Sequence, residues 1–136
     1  MPLHISIVSP ERELFAGEAD QITMPTQEGE ITVLPGHVSL VSLLKAGEVL
    51  IKQNGDVIPM VVSGGFAHIE ARRVIVLADT AERVEELMLE RAQEAYERAQ
   101  EELSKTHMDA REYAAMAANL ERELARLKVA RKYRNR

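Results

Sequence analysis

Residues 48–62, EVLIKQNGDVIPMVV, decide the fold class of this chain. Two runs rich in β-branched residues, 48–52 and 57–62, flank the turn sequence Asn54-Gly55-Asp56. Asn-Gly is a strong signal for a β-hairpin, because a type I′ turn needs positive φ at both central residues and these two residues tolerate it. The stretch therefore predicts two antiparallel strands joined by a tight turn.

The same pattern recurs on both sides of this hairpin over the first 80 residues. Short β-branched runs end at turn residues about every ten positions, which is typical of a sandwich or a flattened barrel. Gly64-Gly65 separates the run 57–62 from the next one. The remaining runs are 5–9, 21–24, 30–34, 66–70 and 74–77.

The periodicity changes after Thr80, from the spacing of strands to that of helices. One predicted helix face carries Val84, Met88, Ala92, Ala95, Ala99 and Leu103. After a connector at 104–108, Asp109 and Glu112 have the spacing of a helix-capping box. A second face then carries Tyr113, Ala117, Leu120, Leu124 and Leu127. Two helices with so short a connector predict an antiparallel pair.

The seam between these helices is rich in alanine. The residues expected to face each other are Ala92, Ala95 and Ala99 on one helix and Ala110, Ala114, Ala117 and Ala118 on the other. An alanine buries a single methyl group, and burial of a group of that size contributes about 0.8 kcal/mol. We therefore expect a hairpin that is marginal alone, weakly docked on the sheet and able to detach or extend.

Composition narrows the functional classes. The chain has 136 residues, a net charge of −5 and no cysteine, so disulfides, thiolate metal sites and thiol nucleophiles are excluded. Residues 109–136 carry 8 bases and 4 acids, whereas residues 1–108 carry 18 acids and 9 bases. A basic end on an acidic body can bind an acidic partner, its own body included, and the acidic chain disfavours nucleic acid.

Catalytic and ligand-binding patterns are missing from the sequence. The four histidines are scattered without metal-ligand spacing, and the glycines form neither a phosphate loop nor a dinucleotide fingerprint. The glutamates of the first helix are interpreted as a solvated face. No apolar run approaches the roughly 20 residues needed to span a bilayer, and the N-terminus does not resemble a secretory signal. We predict no catalytic residue, no metal and no cofactor.

Several blocks of sequence together are distinctive. The segments 29–37, GEITVLPGH, and 43–47, LLKAG, occur with 15–18, FAGE, with 62–66, VSGGF, and with 76–82, VLADTAE. In this order they closely resemble the epsilon subunit of the F-type, rotary ATP synthase, and the resemblance covers nearly the whole chain. The second helix and its basic end look more like the cyanobacterial and chloroplast branch of that family.

The resemblance implies an α+β fold: an N-terminal β-sandwich of about ten short strands over 1–83, then a regulatory antiparallel two-helix hairpin over 84–136. It implies a non-catalytic central-stalk subunit that binds the gamma subunit and the ring of c subunits. The hairpin, when extended, would reach the catalytic alpha/beta head and inhibit ATP hydrolysis. The subunit would be a monomer when isolated. It would be peripheral to the cytoplasmic or stromal face of a membrane, a thylakoid membrane in the photosynthetic branch.

The resemblance also assigns residues. Glu30 and His37 match the family's loop that faces the c ring, although Thr32 stands where the family usually has glycine. Some bacterial members bind ATP through Ile or Leu followed by Asp-x-x-Arg-Ala. Here Leu87, Arg91 and Ala92 fit, but Met88 replaces the aspartate, so we predict weak or no ATP binding. The inhibitory basic end would comprise Arg122, Arg126, Arg131, Lys132 and Arg134.

Two other classes of protein are weighed against this interpretation. One is a free-standing sandwich module whose helices dimerise as a coiled coil, which the short, alanine-rich seam disfavours. The other is a small enzyme with a pocket between sandwich and helices. That reading lacks a converging acid, base and nucleophile.

Overall fold

The structure, a computed structural model, describes residues 2–105 and 108–133. In these ranges the chain forms a sandwich of eight strands, a single 3-10 turn and two helices. The elements are β1 (Leu3–Val8), β2 (Glu13–Ala19), β3 (Gln21–Thr26), β4 (Gly29–Val33), β5 (Leu40–Leu43), β6 (Gly47–Gln53), β7 (Asp56–Ile69), β8 (Arg73–Arg83), the 3-10 turn (Val84–Glu86), α1 (Leu89–Ser104) and α2 (Ala110–Lys132). The predicted α+β class is confirmed. About ten strands were expected, and the described residues form eight.

The difference in strand number has its clearest cause in β7. The runs 57–62 and 66–70 were predicted as separate strands, but they belong to one strand, Asp56–Ile69, that continues through Gly64 and Gly65. These glycines have φ of 71° and 99°, conformations that other residues rarely adopt. Before them β7 pairs with β6, and after them it pairs with β5, while β8 stays paired along both parts. β7 therefore crosses from one part of the sandwich to the other without ending.

The strand order is β2-β1-β8-β7-β6-β3-β4, with β5 added beside β7. β1 and β8 are parallel, and the other strand pairs are antiparallel. The predicted β6–β7 hairpin is confirmed: Gln53 pairs with Asp56, and the intervening Asn54 and Gly55 have φ of 51° and 85°. Two positive φ values in a two-residue loop define the expected type I′ turn.

The sandwich has a core of its own. Alternate residues of its strands are completely buried, as the period of two predicts, and a buried Ile or Leu side chain contributes about 1.5–3 kcal/mol. The largest of them are Leu3, Ile5, Ile7, Ile22, Met24, Leu44, Ile51, Met60 and Ile69. No residue beyond Ala81 belongs to this cluster among the described residues. The helices therefore pack on a sandwich whose interior is already complete.

The first helix begins later than predicted. A helix was expected from Val84, but Val84–Glu86 forms a 3-10 turn and α1 begins at Leu89. The reason is that β8 stays paired up to Arg83, opposite Met60, so the chain must first turn off the sheet. Arg12 donates to the Glu86 carboxylate at 2.7 Å and fixes this turn to the β1–β2 loop. This contact lowers the pKa of Glu86.

The second helix buries one end. The Asp109 side chain accepts from the backbone N–H of Glu112 at 2.8 Å, as the capping spacing predicts. Ala92, near the start of α1, packs against Leu127 and Ala130 near the end of α2, so the helices are antiparallel as expected. The expected seam is wrong at the other end of α2, where the side chains are exposed because only its C-terminal half has both α1 and the sandwich beside it. The exposed seam residues are Ala110, Tyr113, Ala114 and Ala118.

Substitution of Gly65 by alanine tests the crossing of β7. A Cβ at Gly65 would lie 2.0 Å from the Leu77 carbonyl oxygen, so we expect a loss of about 3 kcal/mol in the free energy of unfolding, measured by urea denaturation. Gly36→Ala is the matched control, because Gly36 has a similar φ of 91° but open space around it. We expect it to lose only about 1 kcal/mol. Equal losses would contradict this account of the crossing.

Candidate functional site

One outward face of the sandwich carries a row of exposed apolar side chains. Leu43 of β5 lies opposite Phe66 of β7, and Phe66 lies opposite Leu77 of β8. Their exposed fractions are 64%, 41% and 40%. Val41, two residues before Leu43 on β5, is also exposed on this face. We refer to these four residues as the apolar strip. Contiguous exposed apolar surface of this kind marks interaction sites in soluble proteins.

The loop 34–39 leads into β5 and adds exposed Leu34 and Val38 beside the strip. Two backbone hydrogen bonds hold its shape: Gly36 N–H donates to the Ala71 carbonyl at 2.6 Å, and His37 N–H donates to the Leu34 carbonyl at 3.2 Å. His37 lies in this loop, partly exposed, with Nδ1 2.7 Å from the Val38 carbonyl oxygen.

Glu30 lies on a different element from His37. It is exposed on β4, where it pairs with Pro25 of β3. Thr32, on the same strand, pairs with Thr23, and their hydroxyl groups are 2.9 Å apart. The strand is regular at this position, so threonine in place of the family's glycine leaves the pairing intact. No hydrogen bond or ion pair between described residues joins Glu30 to His37.

A second surface joins the sandwich to α2. Glu48 of β6, Val61 of β7 and Glu82 of β8 lie opposite one another in a single cross-strand row. Val61 packs with Ala125 and Val129 of α2 and with Val84 of the 3-10 turn. We refer to this contact, with the ion pairs beside it, as the joint. Its centre is apolar, and an acidic residue stands on either side of the centre.

Arg126 makes the ion pair on one side of the joint. Its Nε donates to Glu82 at 2.9 Å, and its Nη1 donates to Glu123 of the same helix at 2.7 Å. Glu123 is only 5% exposed, and Arg122 also donates to it, at 3.2 Å. Burial alone would lower the pKa of Arg126, but the hydrogen bonds to Glu82 and Glu123 outweigh burial and raise it.

Lys132 makes the ion pair on the other side of the joint. Its Nζ lies 2.7 Å from Glu48 and 5.3 Å from the centre of the Tyr133 ring. The hydrogen bond to Glu48 raises the pKa of Lys132, and burial raises the pKa of Tyr133. Arg131 donates instead to Gln93 of α1 at 2.9 Å.

The predicted basic end is thus drawn into contacts within the chain itself. Arg122, Arg126 and Lys132 bind carboxylates, and two of those carboxylates belong to the sandwich. Arg134 lies outside the described residues. The sequence correctly indicated that a basic end can bind its own acidic body.

The degenerate ATP motif falls at the junction between the 3-10 turn and α1. Leu87 is partly buried and contacts the clusters on both sides of α2. Ala92 is completely buried against Leu127 and Ala130. Arg91 is exposed and, among the described residues, forms no hydrogen bond or ion pair. Met88 precedes α1 with its side chain exposed. The residues of the motif therefore do not form one common exposed site in this structure.

Sequence reasoning missed the apolar strip and the acidic half of the joint. The uninterrupted run Met60-Val61-Val62 is a signal that could have found the joint, because it implies that both faces of β7 are covered there. The i,i+3 spacing of Glu123 and Arg126 indicates a pair on one helix. Glu48 and Glu82 carry no local signal, since their partners are 84 and 44 residues away.

Two kinds of site are not found within 2–105 and 108–133. No group of three or more His, Asp or Glu side chains in these ranges could hold a metal ion. No helix in the described part of the chain has the length and hydropathy of a bilayer span.

Comparison with known proteins agrees with this two-part organisation. The model of the beta-sandwich domain of the ATP synthase delta/epsilon chain matches residues 2–84, and the model of its long alpha-helix domain matches residues 85–131. A protein of Dehalococcoides mccartyi named ATP synthase epsilon chain is 42% identical over 132 residues, 97% of this chain and 94% of its own length. The epsilon chain of Geobacter sulfurreducens is 38% identical, covering 96% and 94% of the two chains.

Solved structures show the same likeness. A chain in the cryo-EM structure of the OSCP/F1/c-ring of Euglena gracilis mitochondrial ATP synthase matches with a TM-score of 0.78 and 26% identity, over 91% of this chain and 78% of that one. A chain from the central stalk and c-ring of the Tetrahymena thermophila mitochondrial enzyme matches with a TM-score of 0.65 and 10% identity, over 96% and 97%, which shows the fold alone. The matches to both domain models and to full-length relatives establish that this chain belongs to the ATP synthase delta/epsilon chain family.

Proposed function

We propose that this non-catalytic central-stalk subunit of ATP synthase couples the rotor to the catalytic head. In this proposal the sandwich, residues 1–83, binds the gamma subunit and the c ring, and the helical hairpin, residues 84–136, inhibits ATP hydrolysis when it leaves the sandwich. The observation that carries the proposal is the separation of two surfaces, an exposed apolar strip and a charged joint. The first is available to a partner while the second is occupied by the chain's own helix.

The apolar strip supports binding to the stalk. Leu43, Phe66 and Leu77 stand on three paired strands, so the surface that they form is rigid before any partner arrives. A preformed apolar surface loses little conformational entropy on binding. We assign the gamma subunit to this strip, because a long stalk helix can cover a flat row of side chains.

Glu30 and His37 are assigned to the polar loops of the c ring. Both are accessible, and both lie outside the strip, as a second contact of the same domain would require. The assignment rests on their match to the family's loop. The hydrogen bonds of the 34–39 loop keep His37 in place without using its Nε2.

The joint supports the inhibitory role. The sandwich core contains no helix residue among those described, so α1 and α2 can leave without unfolding it. On leaving, α2 would free Arg126 from Glu82 and Lys132 from Glu48, and it would carry Arg122 and Arg131 with them, with Arg134 following in sequence. These cations complement acidic surfaces on the alpha/beta head, where complementary charge favours fast and specific association.

The location follows from membership of the complex, to which this chain is peripheral. The cyanobacterial or chloroplast branch, and the thylakoid membrane with it, has no support among the relatives found. These come from bacteria such as Dehalococcoides, Geobacter and Chloroflexus. We propose a site on the face of the membrane that carries the catalytic head, and the isolated chain stays predicted as a monomer. Neither the dimerising module nor the small enzyme is retained, because the full-length relatives are epsilon chains.

Replacing Leu43 and Phe66 together by glutamine should weaken binding to a gamma–c-ring subcomplex. Loss of two central apolar contacts predicts an increase in Kd of at least about tenfold, measured by surface plasmon resonance. Val57→Gln is the matched control, because Val57 is equally exposed at the far end of β7. An unchanged Kd for the double variant would contradict the assignment of the strip.

Removal of the helices should separate binding from inhibition. A chain that ends at Leu87 keeps β8 and the 3-10 turn, whereas a cut near Thr80 would remove paired residues of β8. We expect the short chain to bind a catalytic head and stalk depleted of this subunit, and to leave ATP hydrolysis near its uninhibited rate. The full chain should bind and inhibit. Equal inhibition by both chains would show that the sandwich is the inhibitor.

The altered motif at 87–92 predicts no saturable ATP binding below about 1 mM in isothermal titration calorimetry. The Met88 thioether is too weak an acceptor to replace the aspartate. Met88→Asp restores the family's residue at an exposed position and serves as the comparison variant. Tight binding by the unaltered chain would overturn this prediction.

A further inference from the structure

We propose that Arg126 holds two carboxylates when α2 is docked and only one when α2 is released. It binds Glu82 of the sandwich when α2 is docked, and it keeps Glu123 of its own helix when α2 is released. The inference rests on the proposed function only for the role given to the released state. The equilibrium between the docked and the released state is itself a property of the isolated chain.

The first step is that α2 alone carries the attachment of both helices. Its contacts with the sandwich are the apolar centre of the joint and the ion pairs to Glu82 and Glu48. Within the described residues, α1 forms no hydrogen bond or ion pair with the sandwich. It is linked to α2 by the hydrogen bond that Gln93 accepts from Arg131 and by the packing of Ala92 against Leu127 and Ala130. Releasing the end of α2 therefore releases the hairpin as a unit.

The second step is the double partnership of Arg126. Release of α2 breaks the ion pair of Arg126 with Glu82, which favours the docked state. Glu123 lies three residues away on the same helix, so its bond to Arg126 does not depend on docking and is kept in the released state. Release also returns the Glu123 carboxylate, 5% exposed when docked, to water. Glu123 therefore favours the released state, whereas Glu82 favours the docked state.

The third step is the access of solvent to the joint. A cleft of about 350 Å³ is lined by Glu82, Glu123 and Arg126, and another of about 470 Å³ is lined by Glu48, Ala125 and Lys132. Ions can therefore reach both ion pairs. Salt shortens the range of such attractions to about 3 Å at 1 M, so it should weaken docking while the apolar centre is retained.

The fourth step is the position of the pivot. The 3-10 turn stays fixed by Arg12 and Glu86, and α1 begins at Leu89. Between them, Leu87 and Met88 have extended backbones, with ψ of 136° and 119°. These two residues are the short non-helical link about which the hairpin can rotate without breaking a helix.

Pulsed electron paramagnetic resonance can measure the two states directly. Spin labels on Lys52→Cys and Ala114→Cys report the distance between sandwich and α2, and both positions are exposed and outside the joint. The natural chain has no cysteine that would add background. We expect one short docked distance at low salt and a growing second population at longer distance as the NaCl concentration rises.

Charge-removing variants should move this equilibrium in opposite directions. We expect E82Q and E48Q each to raise the released-to-docked ratio about threefold, the effect of one partly exposed ion pair. E123Q should lower the ratio by a similar factor, although it also removes an ion pair. E85Q is the matched control, because Glu85 lies in the adjacent 3-10 turn but outside the joint. E48K and K132E should each raise the released-to-docked ratio. The double variant, which exchanges the two charges, should return the ratio to that of the unaltered chain.

Two results would overturn the proposal. One is a shift for E123Q in the same direction as for E82Q, which would make Glu123 an ordinary docking residue. The other is a single docked distance in every variant and at every salt concentration. A variant that loses inhibition of ATP hydrolysis while its docked and released populations stay unchanged would instead count against the proposed function.

Discussion

Arg126 makes an ion pair that holds the two parts of this chain together at the joint. It reaches one carboxylate on the last strand of the sandwich and another on its own helix, and it does so beside an apolar contact of only a few side chains. The sandwich does not need this contact, because its core is closed by its own strands. The helices do need the joint, because it contains the apolar cluster and the ion pairs that link α2 to the sandwich among the described residues. The joint as a whole therefore decides where the helices are and leaves the rest of the fold unchanged.

The strands β7 and β8 connect the two functional surfaces. The crossing at Gly64 and Gly65 separates two cross-strand pairs of β7 and β8. Phe66 and Leu77 of the apolar strip lie on one side of it, and Val61 and Glu82 of the joint lie on the other. A partner on the strip and the helix on the joint thus share a rigid two-stranded support without sharing residues. This arrangement lets the sandwich stay bound to a stalk while the hairpin changes position, which is the division of labour expected of a subunit that both couples and inhibits.

The sequence predicted features that depend on local chemistry. Asn54-Gly55 can adopt positive φ and alternating apolar residues bury one face, so the hairpin and the sandwich class were correct. The resemblance supplied the family. Features that depend on distant pairing were missed, as with Glu48 and Glu82, whose partners are brought close only by the folded sheet. The continuity of β7 was missed because a Gly-Gly pair usually ends a strand. Here glycine is needed at position 65 because the backbone of Leu77 and Ala78 lies too close to leave room for a side chain. The alanine seam was placed too near the N-terminus of α2, since helical periodicity does not show where a helix meets its neighbours.

The central claim is that inhibition requires the hairpin to leave the sandwich. The most direct test introduces cysteines at Ala46 and Ala125, which line the same cleft, and joins them by a disulfide. ATP hydrolysis by the catalytic head and stalk is then measured with the linked and the reduced chain. The account predicts that the linked chain binds without inhibiting and that reduction restores inhibition. Full inhibition by the linked chain would contradict it, because the docked form would then be the inhibitor.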